Sequence, residues 1–274
     1  MSMRPEISGI MAAHNAAPVV GQAIESMLAQ TFEAWELIIV DDGSTDETWD
    51  IVRTYSDPRI KPQRLQQNVG AAKARNIAVG QALGQFLAVV DADDISRPNR
   101  LETLTAALQR DSTLAVVSGQ VANLLPDGTE RPLMHYPTND AEVLLRFRRG
   151  VIGVSHAACM MRTAVFTRYG GYHAGALLAE DLDLFLRMHR QERFMNLPAI
   201  VLSYRNNPAG VNFPFWFRLH QYHEYAGYRS KLTTSSVNDG SVLDFDKWRR
   251  NPWRCRRLYT RHMLRFVKHR LTYH

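Results

Sequence analysis

Two hydrophobic periods alternate along the first 120 residues. Continuous apolar runs at 7–13, 37–42 (LIIVDD) and 86–91 (FLAVVD) predict strands buried on both faces, and a weaker one lies at 60–65. Between them, apolar residues at helical spacing predict helices over 19–30, 45–55, 70–83 and 98–110. Ser44 and Glu47 have the spacing of a capping box, and Pro98 suits a first helical position. Residues 114–121 close the series as a further strand. Apolar strands separated by helices specify an α/β fold, a mostly parallel central sheet flanked by helices, whose ligands bind beyond the carboxyl ends of the strands. Farther on the pattern loosens. A turn is expected at Asp127-Gly128, helices at 140–147 and 180–190, strands at 157–161 and 194–204, and a break at Gly170-Gly171.

Composition narrows the class without naming a function. The 274 residues are 45% hydrophobic and 22% charged, with 2 Cys, which excludes collagenous, disordered and disulfide-stapled chains. Cys159 and Cys255 lack any CxxC partner and read as free thiols. With no apolar leader or spanning run in view, the expected location is cytoplasmic or peripheral at the inner face of the cell membrane. The net charge of +6 is unevenly spread. Residues 247–274 hold ten Lys and Arg and no acid, leaving 23 basic against 27 acidic residues before them, so nucleic acid is not an expected partner of the main body.

Three acidic clusters carry the candidate chemistry. Asp91-Ala92-Asp93-Asp94 ends an apolar strand, where repelling carboxylates call for Mg²⁺ or Mn²⁺ carrying a diphosphate, or else form a solvated turn. Asp41-Asp42 ends another, and DGS could also be turn and cap alone. Glu180-Asp181-Leu182-Asp183 opens a helix, suiting a general base or a plain macrodipole charge. Asn68, Gly70, Lys73, Arg75 and Asn76 form a polar loop and helix start able to favour a phosphate. No GxGxxG, P-loop, HExxH or nucleophile elbow is present, and His220, His223 and Glu224 read as packing residues.

The ordered segments ISGIMAAHNAAPVVGQAIESMLAQTFEAWELIIVDDGSTDETWDIV, QQNVGAAKARNIAVGQALGQFLAVVDADD and AEDLDLFLRM, spread over residues 6–205, resemble the family 2 glycosyltransferases of GT-A fold. That resemblance implies inverting transfer of a sugar from a nucleotide-diphosphate sugar, a UDP-sugar before GDP- or TDP-linked ones, to the hydroxyl of a carbohydrate or lipid-linked saccharide. It places Ala13, His14, Asn15, Asp41, Asp42, Asn68, Gly70, Lys73, Arg75, Asp91 and Ala92 on the nucleotide sugar. Asp93 and Asp91 become metal ligands, and Asp181 with Glu180 the catalytic pair, Asp181 as base. The chain has Ala12 and His14 where the family often has Pro and Tyr, and Asn206-Asn207-Pro208 where a His often follows the Tyr204-Arg205 position. A phosphoryl or nucleotidyl transferase, or a non-catalytic sugar-nucleotide-binding scaffold, is the competing expectation.

The expected organisation is a GT-A catalytic domain over 1–212, with a nucleotide-sugar half to 122 and an acceptor half after it, then a helical basic extension over 213–274. In that extension Tyr259, Met263, Phe266, Val267 and Leu271 approximate one helical face among arginines. Such a helix over 247–271 would lie on an anionic membrane surface, pack on the body, or meet a second copy.

Overall fold

The computed structural model describes residues 4–205 except 133, 134, 150, 177 and 178. The second-domain boundary, the basic extension, His220, His223, Glu224 and Cys255 lie outside the described residues.

The first half builds strand β1 (Ile7–Ala13), helix α1 (Val20–Leu28), β2 (Trp35–Asp41), α2 (Thr48–Val52), β3 (Ile60–Arg64), α3 (Ala71–Val79) and β4 (Phe86–Val89). After these come β5 (Ile95–Ser96), α4 (Arg100–Arg110), β6 (Leu114–Leu124), β7 (Glu130–Pro132), α5 (Asp140–Arg148), β8 (Met160–Arg162), α6 (Thr163–Arg168), α7 (Glu180–Met188) and β9 (Arg193–Arg205). They form one sheet in the order β3-β2-β1-β4-β8-β6-β9-β5, with β7 paired to β6. From β3 to β4 every pairing is parallel, and beyond β4 the directions are mixed.

Alternation within the buried strands feeds two cores. Ile7, Met11, Leu37 and Ile39 pack with Val20, Ile24, Leu101, Leu104 and Leu108 from α1 and α4 on one face. Ile10, Ile38, Val40 and Leu87 pack with Ala74, Ala78, Phe147 and Phe185 from α3, α5 and α7 on the other. A two-sided sheet needs apolar side chains at successive positions, which explains why these strands read as continuous runs. Among the described residues no helix is long and apolar enough to cross a membrane.

Several element ends depart from the sequence pattern. The helix expected at 45 starts at Thr48, because Ser44 is not its cap. Its hydroxyl accepts from Asn15 N–H at 3.0 Å, while Asp46 takes the Thr48 N–H at 3.0 Å. Pro98 sits before α4 rather than in it, since the Arg97 carbonyl accepts from Arg100 N–H at 2.9 Å to close a turn first. Helix α3 stops at Val79, β5, β7 and α6 are additional, and β9 is interrupted by register shifts against β6. Gly170 and Gly171 do break the chain, at φ of 73° and 69°.

Candidate active site

Parallel pairing of β1, β2 and β4 brings the carboxyl ends of these strands to one edge. At the first end, Asp42 N–H donates to the Ala13 carbonyl at 2.7 Å, and the Asp42 carbonyl pairs with His14 Nδ1 at 2.8 Å. The Asp42 carboxylate is 2.7 Å from Val69 N and 2.9 Å from Gly70 N, which donate to it. Asp41 is wholly buried, accepting from Ser44 N–H at 3.2 Å and lying 3.3 Å from Arg64 Nε. Gly43 permits this: at φ +64° a Cβ there would lie 2.5 Å from the Gln67 carbonyl carbon and 2.6 Å from Asn68 N. Asp42 therefore fastens the 67–70 loop to the strand end, while Asp41 ties the turn at Ser44 and the end of β3 to it. Asn15, at φ 49°, accepts through its side chain from Thr45 N–H at 2.9 Å. Asn68 is exposed and accepts from Gly70 N–H at 3.1 Å.

The loop leads into α3, whose Arg75 lies between the other two acidic clusters. Its guanidinium donates to Asp91 Oδ1 at 2.7 Å, just past β4, and to Glu180 Oε1 at 3.2 Å, the first residue of α7. The three side chains are only 11%, 22% and 15% exposed, so little water screens them. The next residue, Asn76, grips the backbone of Tyr172, donating to its carbonyl at 2.7 Å and accepting its N–H at 3.0 Å. Lys73 is exposed on α3.

Burial acts differently on each acid. It is the largest single influence on the Asp91 carboxyl and works to raise it, but the Arg75 charge and hydrogen bond, together with His156 and Arg100, hold that group below the usual carboxylate range. Glu180 is raised, by burial and then by the neighbouring Asp181, despite Arg75. Asp91 is thus the ionised partner of the guanidinium. Asp93 is pushed up to about 6 by burial and by Asp91, and Asp94 is raised well above its ordinary value by burial and both neighbours. Beyond β4, burial and mutual repulsion thus both work against ionising Asp93 and Asp94.

Two arginines support that turn. Arg100, with no exposed surface, donates to Ser96 Oγ at 2.9 Å, the Val89 carbonyl at 2.5 Å and the Ala157 carbonyl at 2.8 Å. Arg205 donates its backbone N–H to Asp94 Oδ1 and its Nε–H to the Asp93 carbonyl, both at 2.9 Å. Among the described residues no side chain donates to the Asp93 carboxylate, and no three His, Cys, Asp or Glu side chains converge on one point. This donor set fits Mg²⁺ or Mn²⁺, hard cations commonly held by one or two carboxylates, with substrate phosphates and water completing the shell. Asp93, with Asp91 beside it, would hold the ion.

The sequence pattern missed three groups here. Arg100 had a readable signal, since it continues the 104 and 108 positions of an apolar helix face where a charge is out of place. Tyr172 and His156, whose hydroxyl and Nε2 are 2.8 Å apart, had none.

The glycosyl transferase family 2 profile matches residues 8–170. EpsE of Bacillus subtilis (strain 168) is 31% identical over 206 residues, covering 70% of this chain and 69% of EpsE. The Escherichia coli UDP-Glc:alpha-D-GlcNAc-diphosphoundecaprenol beta-1,3-glucosyltransferase WfgD is 44% identical over 96 residues, 35% of this chain and 38% of WfgD. Among solved structures, S. aureus TarS in complex with UDP-GlcNAc superposes with a TM-score of 0.66 at 19% identity, over 81% of this chain and 66% of that one. The mannosyltransferase PcManGT of Pyrobaculum calidifontis, in complex with GDP-Man and Mn²⁺, gives 0.64 at 19%, over 86% and 66%. The match thus spans just under two thirds of each of these structures and about two fifths of WfgD. Their likeness establishes the α/β arrangement of the GT-A transferases, and with the profile match over most of the described fold, the chain belongs to glycosyl transferase family 2.

Proposed function

We propose that the protein transfers a sugar from a nucleotide-diphosphate sugar, a UDP-sugar first, to the hydroxyl of a carbohydrate or lipid-linked saccharide in bacterial surface polysaccharide assembly, with inversion at the anomeric carbon. The observation that carries this is the Arg75 bridge, in which one buried guanidinium joins the acidic end of β4 to the acidic start of α7. A single displacement needs a phosphate side and a base side facing each other across the reacting carbon. Relatives support the substrate class: WfgD is named for a UDP-Glc donor and a diphosphoundecaprenol-linked acceptor, and TarS and PcManGT are solved with UDP-GlcNAc and with GDP-Man and Mn²⁺.

In this reading the Asp41–Asp42 strand end and the 67–70 loop form the wall for the base, and Asp91 and Asp93 face the diphosphate. When bound there, Mg²⁺ or Mn²⁺ supplies Lewis-acid neutralisation of the leaving diphosphate. Asp181 takes the proton of the acceptor hydroxyl as its oxygen bonds to the anomeric carbon, and the electron pair of the broken carbon–oxygen bond leaves with the diphosphate. Glu180 and Arg75 fix the start of α7, and with it the base, relative to β4.

A thermal-shift panel of UDP, GDP, TDP and CDP with their common sugars, in Mn²⁺ or EDTA, tests the donor reading on wild type and Asp93→Ala. A metal-dependent rise for one nucleotide, lost in the variant, is expected. A flat panel with a control enzyme responding would overturn it.

A further inference from the structure

We propose that His156 is a substrate-binding residue for the transferred sugar, its ring nitrogen hydrogen-bonding a pyranose hydroxyl between the Asp91 and Asp181 clusters. This deepens the transferase reading and rests on it.

His156 precedes β8 in a segment tied to the sheet, as Cys159 O accepts from Val89 N–H at 3.2 Å and Ala157 O from Arg100. The imidazole is clamped from two sides. Nε2 meets the Tyr172 hydroxyl at 2.8 Å, and the ring stands edge-on to Tyr172 at 5.5 Å and tilted against Phe185 at 6.1 Å. Tyr172 is itself 2% exposed and held by both Asn76 hydrogen bonds, with the Arg75 guanidinium 6.0 Å from its ring centre. Asn76, the neighbour of the Arg75 that joins the acidic clusters, therefore also fixes the histidine through Tyr172.

Asp91 and Asp181 both act electrostatically on His156, and so do Arg75 and Arg100, which places the ring in the field of all four. Burial and the Arg75 charge lower its pKa, keeping the imidazole neutral near pH 7. A neutral imidazole with one nitrogen engaged by Tyr172 has the other, Nδ1, left to pair with a hydroxyl, as donor or acceptor according to tautomer. No described residue hydrogen-bonds Nδ1. A sugar hydroxyl, which both donates and accepts, is the complementary partner on the path from diphosphate to base. Loss of such a bond is read in sugar binding rather than in nucleotide binding.

The test is calorimetric titration, in Mn²⁺, of UDP, GDP, UDP-glucose, UDP-N-acetylglucosamine and GDP-mannose into wild type, His156→Ala, His156→Gln and Tyr172→Phe. For the sugar nucleotide that wild type binds, the ratio of its Kd to that of the matching bare diphosphate is expected to rise at least fivefold in His156→Ala. Bare diphosphate affinity should stay within twofold, with His156→Gln nearer wild type and Tyr172→Phe between. Melting curves identify any variant that fails to fold, and the Gln and Phe variants then carry the comparison. An unchanged ratio, or an equal loss for diphosphate and sugar nucleotide, overturns the role of His156 while leaving the transferase reading intact. Absence of any nucleotide binding to wild type overturns both.

Discussion

Arg75 shows how much one side chain organises. Its planar fork reaches two carboxylates from different elements, and an ammonium would present a single point charge to both. Arg75→Lys is therefore expected to lower kcat/KM for donor turnover about a hundredfold, roughly 2.7 kcal/mol. Arg75→Met, which strands Asp91 and Glu180 in a buried site, should cost about 3 kcal/mol of stability in urea melts. Wild-type turnover in Arg75→Lys would show that the bridge is incidental. Cys159 illustrates the opposite case, a nucleophile made inert by its surroundings. Fully buried, its thiol is pushed up to about 12, so native protein carrying Cys255→Ser should react with a thiol reagent only at the unfolding rate. Rapid labelling of the folded variant would contradict the packing around β8.

Strands and loops set the distances that those side chains use. The turn at Gly43 lets the 67–70 loop press against the end of β2, and Gly43→Ala imposes both an unfavourable φ and a backbone clash. It should destabilise the protein by about 1–3 kcal/mol and weaken nucleotide binding, measurable by melts and titration of UDP or GDP with Mn²⁺. An alanine variant with wild-type melting and binding would mean that the loop is not held there. Elements of this kind were legible to different degrees. Strands β1, β2 and β4 announce themselves because two-sided burial demands unbroken apolar runs, and Asp41, Asp42, Asp91 and Asp93 stand out where those runs end. Local signals failed where distant partners win, as when Asn15 takes the Ser44 hydroxyl expected to cap α2. The Arg75–Glu180 and His156–Tyr172 contacts join residues 105 and 16 apart, and no spacing rule encodes such pairs. Arg100 lay between these cases, a charge on an apolar stripe whose meaning emerges only with the carbonyls it meets.

At the scale of the whole molecule, a two-sided sheet carries buried polar ties that link stability to pH. Glu36, 2% exposed in β2, accepts from Ser8 Oγ at 2.6 Å and Leu83 N–H at 2.8 Å and pairs with Lys61. Burial works to raise its pKa, yet these partners hold it below the ordinary 4.5. A depressed folded pKa gives stability that is present above about pH 4.5 and lost as pH falls through the folded value. Glu36→Gln should cost about 1–3 kcal/mol at pH 7, the gap to wild type narrowing below pH 4.5 in urea melts. A gap independent of pH would assign the cost to packing alone. The two tasks proposed for the site fall to different elements, the diphosphate to Asp93 beyond β4 and the acceptor to Asp181 in α7. That division is tested most directly by calorimetric titration of the nucleoside diphosphate that wild type binds, in Mn²⁺, into Asp93→Asn and Asp181→Asn side by side. A loss of tenfold or more in Asp93→Asn, with Asp181→Asn within twofold of wild type, is the predicted result. Equal affinities in both variants, or a loss confined to Asp181→Asn, would contradict the account.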